Sequence, residues 1–192
     1  GVTAVAGTLT TGNAAAQTAV TALADVTPAT PASTFSLTTG IDALTGTTGA
    51  DSFGGAQTAL SSSDTLDVTD SIDGGDGADT FNLTMSSNHT GMTGIGAITA
   101  VETIALTNSS TVARTFDATG VTGATAYTVN AATGAISNIS DMASIASVAL
   151  TSQQSAFTSA MDSTFIALAG ITDAMTLKAS GVGTLASTSP TV

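Results

Sequence analysis

The chain has 192 residues, of which 42% are hydrophobic, 14 are acidic and only 2 are basic, for a net charge of −12. That balance excludes recognition of nucleic-acid phosphates, which needs clustered Lys and Arg, and disfavours anionic membrane surfaces. Cysteine is absent, so disulfides and thiol chemistry are excluded, and no stretch approaches the ~18 consecutive apolar residues of a membrane span.

Residues 1–33 differ in character from the rest. Ala14 to Ala24 is an alanine-rich run with Asn13 placed as an N-cap, which predicts a helix. Pro28 and Pro31 then force extended backbone. This part reads as the helical tail of a preceding module plus a linker, and residues 34–192 as a β-rich repeat body. Neither terminus resembles a natural start or a secretion signal, so the chain is expected to be a segment of a longer polypeptide.

From Phe35 onward, short apolar runs alternate with Gly, Asn, Asp and Ser. Predicted strands are Ser36–Thr38, Thr65–Val68, Thr80–Met85, Glu102–Thr107, Thr115–Asp117, Ala126–Asn130, Ser147–Leu150 and Ala174–Ala179. Several alternate apolar with polar residues, as a half-buried strand does. The centres near Ala105, Thr128, Ala149 and Thr176 lie 23, 21 and 27 residues apart. A period of that size predicts an all-β, parallel β-solenoid or β-roll-like body, in which each coil buries its apolar face on the next. An antiparallel sandwich is the alternative, because strand spacing separates the two poorly. Short helical insertions are expected as well. Phe157, Met161, Phe165 and Leu168 are spaced as on one helix face, and Asp141 is placed to cap a turn containing Met142 and Ile145.

The densest chemistry lies between residues 64 and 79, where Asp64, Asp67, Asp70, Asp73, Asp76 and Asp79 fall at every third position. Arg114 and Lys178 are too few to neutralise this cluster, and crowded carboxylates destabilise a fold unless positive charge arrives. Glycine turns among carboxylate and carbonyl oxygens suit Ca2+, which takes six to eight oxygen ligands. Asp76 and Asp79 are the leading candidate ligands, with Asp73 or Asp70 completing the shell and Gly74, Gly75 and Gly77 aiming carbonyls inward. Solvated turn aspartates are the plain alternative. Asp64 and Asp67 fall on a predicted strand, where three-residue spacing alternates faces.

The segment Leu44-Thr45-Gly46-Thr47-Thr48-Gly49-Ala50-Asp51-Ser52-Phe53 repeats the pattern of Ile72-Asp73-Gly74-Gly75-Asp76-Gly77-Ala78-Asp79-Thr80-Phe81 at a constant offset of 28 residues. This earlier turn offers Asp51, Gly49 and Asp42 as a second metal set. The later segment matches G-G-x-G-x-D-x-U-x, the calcium-binding nonapeptide of repeats-in-toxin (RTX) proteins. With Ser36–Gly46 and Val101–Leu106, the region from about 34 to 180 resembles RTX-like bacterial surface-layer proteins. The resemblance implies type I secretion, folding with Ca2+ outside the cell, and assembly into a lattice. The chain departs from it in having two such turns and no long tandem array.

Other candidates are weaker. His89 is expected in a surface loop, and the Asn-x-Ser/Thr sites at Asn82, Asn88, Asn108 and Asn138 arise readily in a Thr-rich chain. No Ser–His pairing or aromatic sugar platform stands out, so no catalytic residue is assigned. The expected role is structural: an extracellular homo-oligomer, lattice or filament, with any cell-surface glycan anchor lying outside this segment. A stalk or adhesion module of a large secreted protein is the further alternative.

Overall fold

The computed structural model describes residues 30–130, 136–144, 146–151, 158–161 and 177–180. The helix expected over Ala14–Ala24 lies outside them. The strands are β1 (Thr34–Ser36), β2 (Ala43–Thr45), β3 (Ser52–Gln57), β4 (Ser71–Asp73), β5 (Thr80–Met85), β6 (His89–Thr90) and β7 (Ala97–Thr99). They continue as β8 (Thr103–Asn108), β9 (Arg114–Asp117), β10 (Ala126–Asn130), β11 (Ile136–Met142), β12 (Ser147–Thr151), β13 (Thr158–Met161) and β14 (Leu177–Ser180). Among the described residues the one helical element is the 3-10 turn Ser61–Ser63.

The protein is an all-β parallel solenoid. Its strands form a main sheet ordered β1-β3-β5-β8-β10-β12-β14, a second sheet ordered β13-β11-β9-β6 and a third ordered β2-β4-β7. Every strand pairing is parallel, which removes the antiparallel sandwich. A complete coil visits the third, the main and the second sheet in turn, as β7, β8 and β9 do. Down the main sheet, Ser52 pairs with Thr80, 28 residues on, then Thr103 (23), Ala126 (23) and Ser147 (21).

This register turns an alternating sequence into a stacked core. On β5 the side chains of Phe81, Leu83 and Met85 are buried while Asn82 and Thr84 are exposed. Phe35, Phe53, Phe81, Ile104, Tyr127 and Val148 occupy one inward column, and the Phe35 and Phe53 rings stack at 4.8 Å. Leu44, Ile72, Ile98 and Val121 line the third sheet. Each fully buried side chain contributes roughly 1.5–3 kcal/mol over its exposed state. Burial also drives the Tyr127 phenol upward from its ordinary pKa.

Three sequence expectations are corrected. Thr65–Val68 is not a strand: residues 65–69 form bends and a turn, because Asp64 and Asp67 take local N–H groups that a ladder would need. Met161 lies on β13, so its segment is extended rather than helical; Phe157, Phe165 and Leu168 lie outside the described residues. Asp141 and Met142 belong to β11, with Asp141 at φ 56, so Asp141 caps no helix; Ile145 lies outside the described residues.

Candidate functional site

The acidic residues converge on the corners where the chain enters a sheet. Ser33, Asp51, Asp79 and Glu102 each stand one residue before a main-sheet strand. The N–H of Ser33 donates to Asp51 Oδ1 at 2.6 Å, that of Asp51 to Asp79 Oδ1 at 2.6 Å, and that of Asp79 to Glu102 Oε2 at 2.7 Å. In the opposite sense, Ser52, Thr80 and Thr103 donate their N–H groups to the carbonyls of Ser33, Asp51 and Asp79. The carboxylates thus extend the main-chain ladder by one rung at each corner, where a buried N–H left without an acceptor costs about 1–3 kcal/mol.

A second column stands at the third sheet. Asp42 N–H donates to Asp70 Oδ1 and Asp67 N–H to Asp70 Oδ2, both at 2.8 Å. The Asp42 carboxylate accepts from Thr38 N–H at 2.7 Å. Asp42, Asp51 and Asp70, three of the expected metal ligands, therefore act in the structure as acceptors for backbone N–H groups. Hydrogen bonding from the Thr47 main chain lowers the Asp51 pKa despite burial, and the Thr69 hydroxyl and N–H lower that of Asp67. Burial raises Asp70, against the Asp42 and Asp67 N–H groups that pull it down.

Asp79 differs from its counterpart one coil earlier. Asp51 Oδ2 takes the Thr47 N–H at 2.5 Å and the Thr47 hydroxyl at 3.0 Å. Position 75, which aligns with Thr47, is glycine, and its N–H donates instead to Asp73 Oδ1 at 3.2 Å. Asp79 Oδ2 is left buried without a hydrogen-bond partner. Burial raises the Asp79 pKa, and the charges of Glu102, Asp51 and Asp73 add to the rise while the Asp51 N–H opposes it.

The glycines around this oxygen serve close packing. A methyl on Gly74 would overlap the Ala100 carbonyl oxygen and stand 2.7 Å from Asp79 Oδ2. Gly75 and Gly77 have φ of 86° and 131°, which side-chain-bearing residues rarely adopt, and they lie against the carbonyls of Thr47 and Gly49 in the preceding coil. Asp73 and Asp76 are exposed on the same turn, and Asp76 N–H donates to the Thr47 carbonyl. Gly49 is buried against the carbonyls of Thr30 and Pro31.

Among the described residues, no three Asp, Glu or His side chains are grouped so as to share one metal ion. The expected ligands are therefore split: Asp42, Asp51 and Asp70 accept backbone N–H groups, Asp73 and Asp76 are exposed, and Asp79 presents one orphaned oxygen beside the Ala100 carbonyl. That oxygen pair fits a hard cation held by few carboxylates and several carbonyls.

Asp64 and Asp67 stand apart from this turn. Asp64 accepts from Thr58 N–H and Gln57 Nε2, and Asp67 from Thr69 N–H and hydroxyl.

His89 is not in a surface loop. It is buried on β6, stacked on Phe116 at 5.1 Å, with Nδ1 3.2 Å from Gln57 Oε1 and Nε2 without a partner. Burial drives its pKa down to about 4, with Asp117 opposing. Glu102 was not among the expected site residues. Its signal was available: Glu102-Thr103-Ile104 repeats the acid–hydroxyl–apolar order of Asp79-Thr80-Phe81 and Asp51-Ser52-Phe53.

A scan against protein-family models finds none that matches the chain, and a search of curated proteins likewise finds no match.

Proposed function

We propose that the chain is a structural segment of an extracellular surface layer, a stiff parallel solenoid that self-assembles and uses Ca2+ to neutralise the acidic turn between β4 and β5. The observation that carries this reading is the buried, unpartnered Oδ2 of Asp79 in a chain with 14 acidic and 2 basic residues. An oxygen in that position is stabilised by a cation from solution, and the bound ion would supply charge neutralisation rather than chemistry. Asp79 and the Ala100 carbonyl would hold it, with Asp73 or Asp76 closing the outer side. The absence of cysteine fits a protein stabilised outside the cell by metal instead of disulfides.

The test compares the chain in chelator and in millimolar Ca2+ by circular dichroism, thermal denaturation and negative-stain microscopy. Ca2+ is expected to raise Tm and to yield ordered sheets, and Asp79→Asn is expected to abolish the rise in Tm. Identical Tm and identical particles with and without Ca2+ would sink the reading. Fibres in place of sheets would point to a filament or sheath subunit, and a monomer that binds a glycan to an adhesion module.

A further inference from the structure

The outer face of the main sheet is the one large surface of this protein free of charge, and it has no assigned role. Strands β1, β3, β5, β8, β10 and β12 carry no Asp, Glu, Lys or Arg. Their outward positions are Thr, Ser, Asn, Ala and Gly, exemplified by Thr80, Asn82 and Thr84 on β5 and by Ala105, Thr128 and Ala149 in one cross-strand column. The other two sheets are charged: β4 of the third sheet bears Asp73, and β9 and β11 of the second bear Arg114, Asp117 and Asp141.

We propose that two copies of this chain meet through this face, an inference that rests on the self-assembly reading and names its contact. Molecules of net charge −12 repel, and a contact that buries carboxylates must also strip their water. Only this sheet permits close approach without either cost. Its short side chains lose little rotamer entropy when fixed. Its regular interstrand spacing of about 4.8 Å is matched by the same spacing in a second copy. Leu60 and Val112, 69% and 57% exposed on the loops leaving β3 and β8, add apolar surface beside the face.

The size of the face sets the strength of the contact. Six strands at about 4.8 Å, each some 15 Å long, offer roughly 400 Å² per copy. A stable pair buries about 800 Å² per partner. The contact is thus too weak to hold an isolated dimer and gains strength only when many act together in an array.

The experiment places a charge on the face of the full chain at Thr128 or Thr84, both exposed, and on the third sheet at exposed Thr45 as a control. Thr128→Glu and Thr84→Glu are expected to keep the wild-type circular dichroism and Tm. Both should raise the concentration at which sedimenting assemblies appear by roughly tenfold or more, since like charges brought together across a contact are costly. Thr45→Glu is expected to assemble as wild type does. If Thr128→Glu and Thr84→Glu assemble at the wild-type concentration, or Thr45→Glu fails as they do, the contact is overturned while the surface-layer reading stands. If the wild-type chain forms no assembly with or without Ca2+, that reading falls and the contact falls with it.

Discussion

Asp51, Asp70 and Asp79 occupy equivalent corners, and the fate of the second carboxylate oxygen distinguishes them. Asp70 serves two N–H groups, those of Asp42 and Asp67. Asp70→Ala strands both, so it is expected to cost about 2–4 kcal/mol in urea unfolding, whereas Asp70→Asn keeps one acceptor and should cost about half as much. His89 offers a pH test. Its folded pKa of about 4 lies below the model value of 6.5, so the unfolded chain takes up the proton first. Stability from this group is complete above pH 6.5 and falls as pH drops toward 4, by roughly 3 kcal/mol in all. His89→Phe keeps a ring against Phe116 and is expected to flatten that slope in denaturant midpoints measured from pH 7 to 5. Asp70 and Asp79, whose pKa values are raised, act in the opposite direction: their protonation favours the folded state as pH falls toward 3.8. The positions of these corner residues were legible from the glycine–aspartate repeat. Their task was not, because an aspartate that accepts a neighbouring coil's N–H and one that ligates a metal share the same local sequence.

The repeat is more informative for the elements than for the residues. The 28-residue offset that aligns Leu44 with Ile72 and Phe53 with Phe81 is the observed register of both β2 on β4 and β3 on β5. Ala105, Thr128 and Ala149 likewise pair directly, although the next partner is Lys178 and not Thr176. The short strands β6 and β7 escaped notice because two or three residues carry no periodicity. The helix expected around Met161 failed for a simpler reason: a spacing of four is an even number, so it marks one face of a strand as readily as one face of a helix. The turn between β4 and β5 can be tested against a looser one. Gly74→Ala drives a methyl into the Ala100 carbonyl and is expected to cost about 3 kcal/mol. Gly94 has φ 65° with nothing within 4 Å of the position a methyl would take, so Gly94→Ala should cost only the backbone strain of about 1–2 kcal/mol. Thermal denaturation of the two variants side by side checks the ordering.

At the scale of the molecule, each coil touches only its neighbours, so stability is approximately a sum over coils and their interfaces. The register makes this claim testable by removing one coil. Deleting residues 103–125 takes out β8, β9 and the Val121 rung, and brings Ala126 directly after Glu102. Glu102 then occupies the corner that Thr125 leaves, since Ala126 and Thr103 already pair as equivalents. Tyr127 and Val129 fall onto Phe81 and Leu83, and Ile139 onto His89, by the same pairings one step removed. The shortened chain is expected to keep its far-ultraviolet signal per residue and a single cooperative transition. Its Tm should drop by roughly 10 °C, a loss of a few kcal/mol at 2–4 °C each for a chain of this size. Deleting residues 103–113 instead removes β8 alone and leads Glu102 straight into β9, a strand of a different sheet. That smaller deletion puts the following coil out of phase with all three sheets, and it is expected to unfold the protein. If the half-coil variant were as stable as the full-coil variant, the coils would not be the independent units that the register implies.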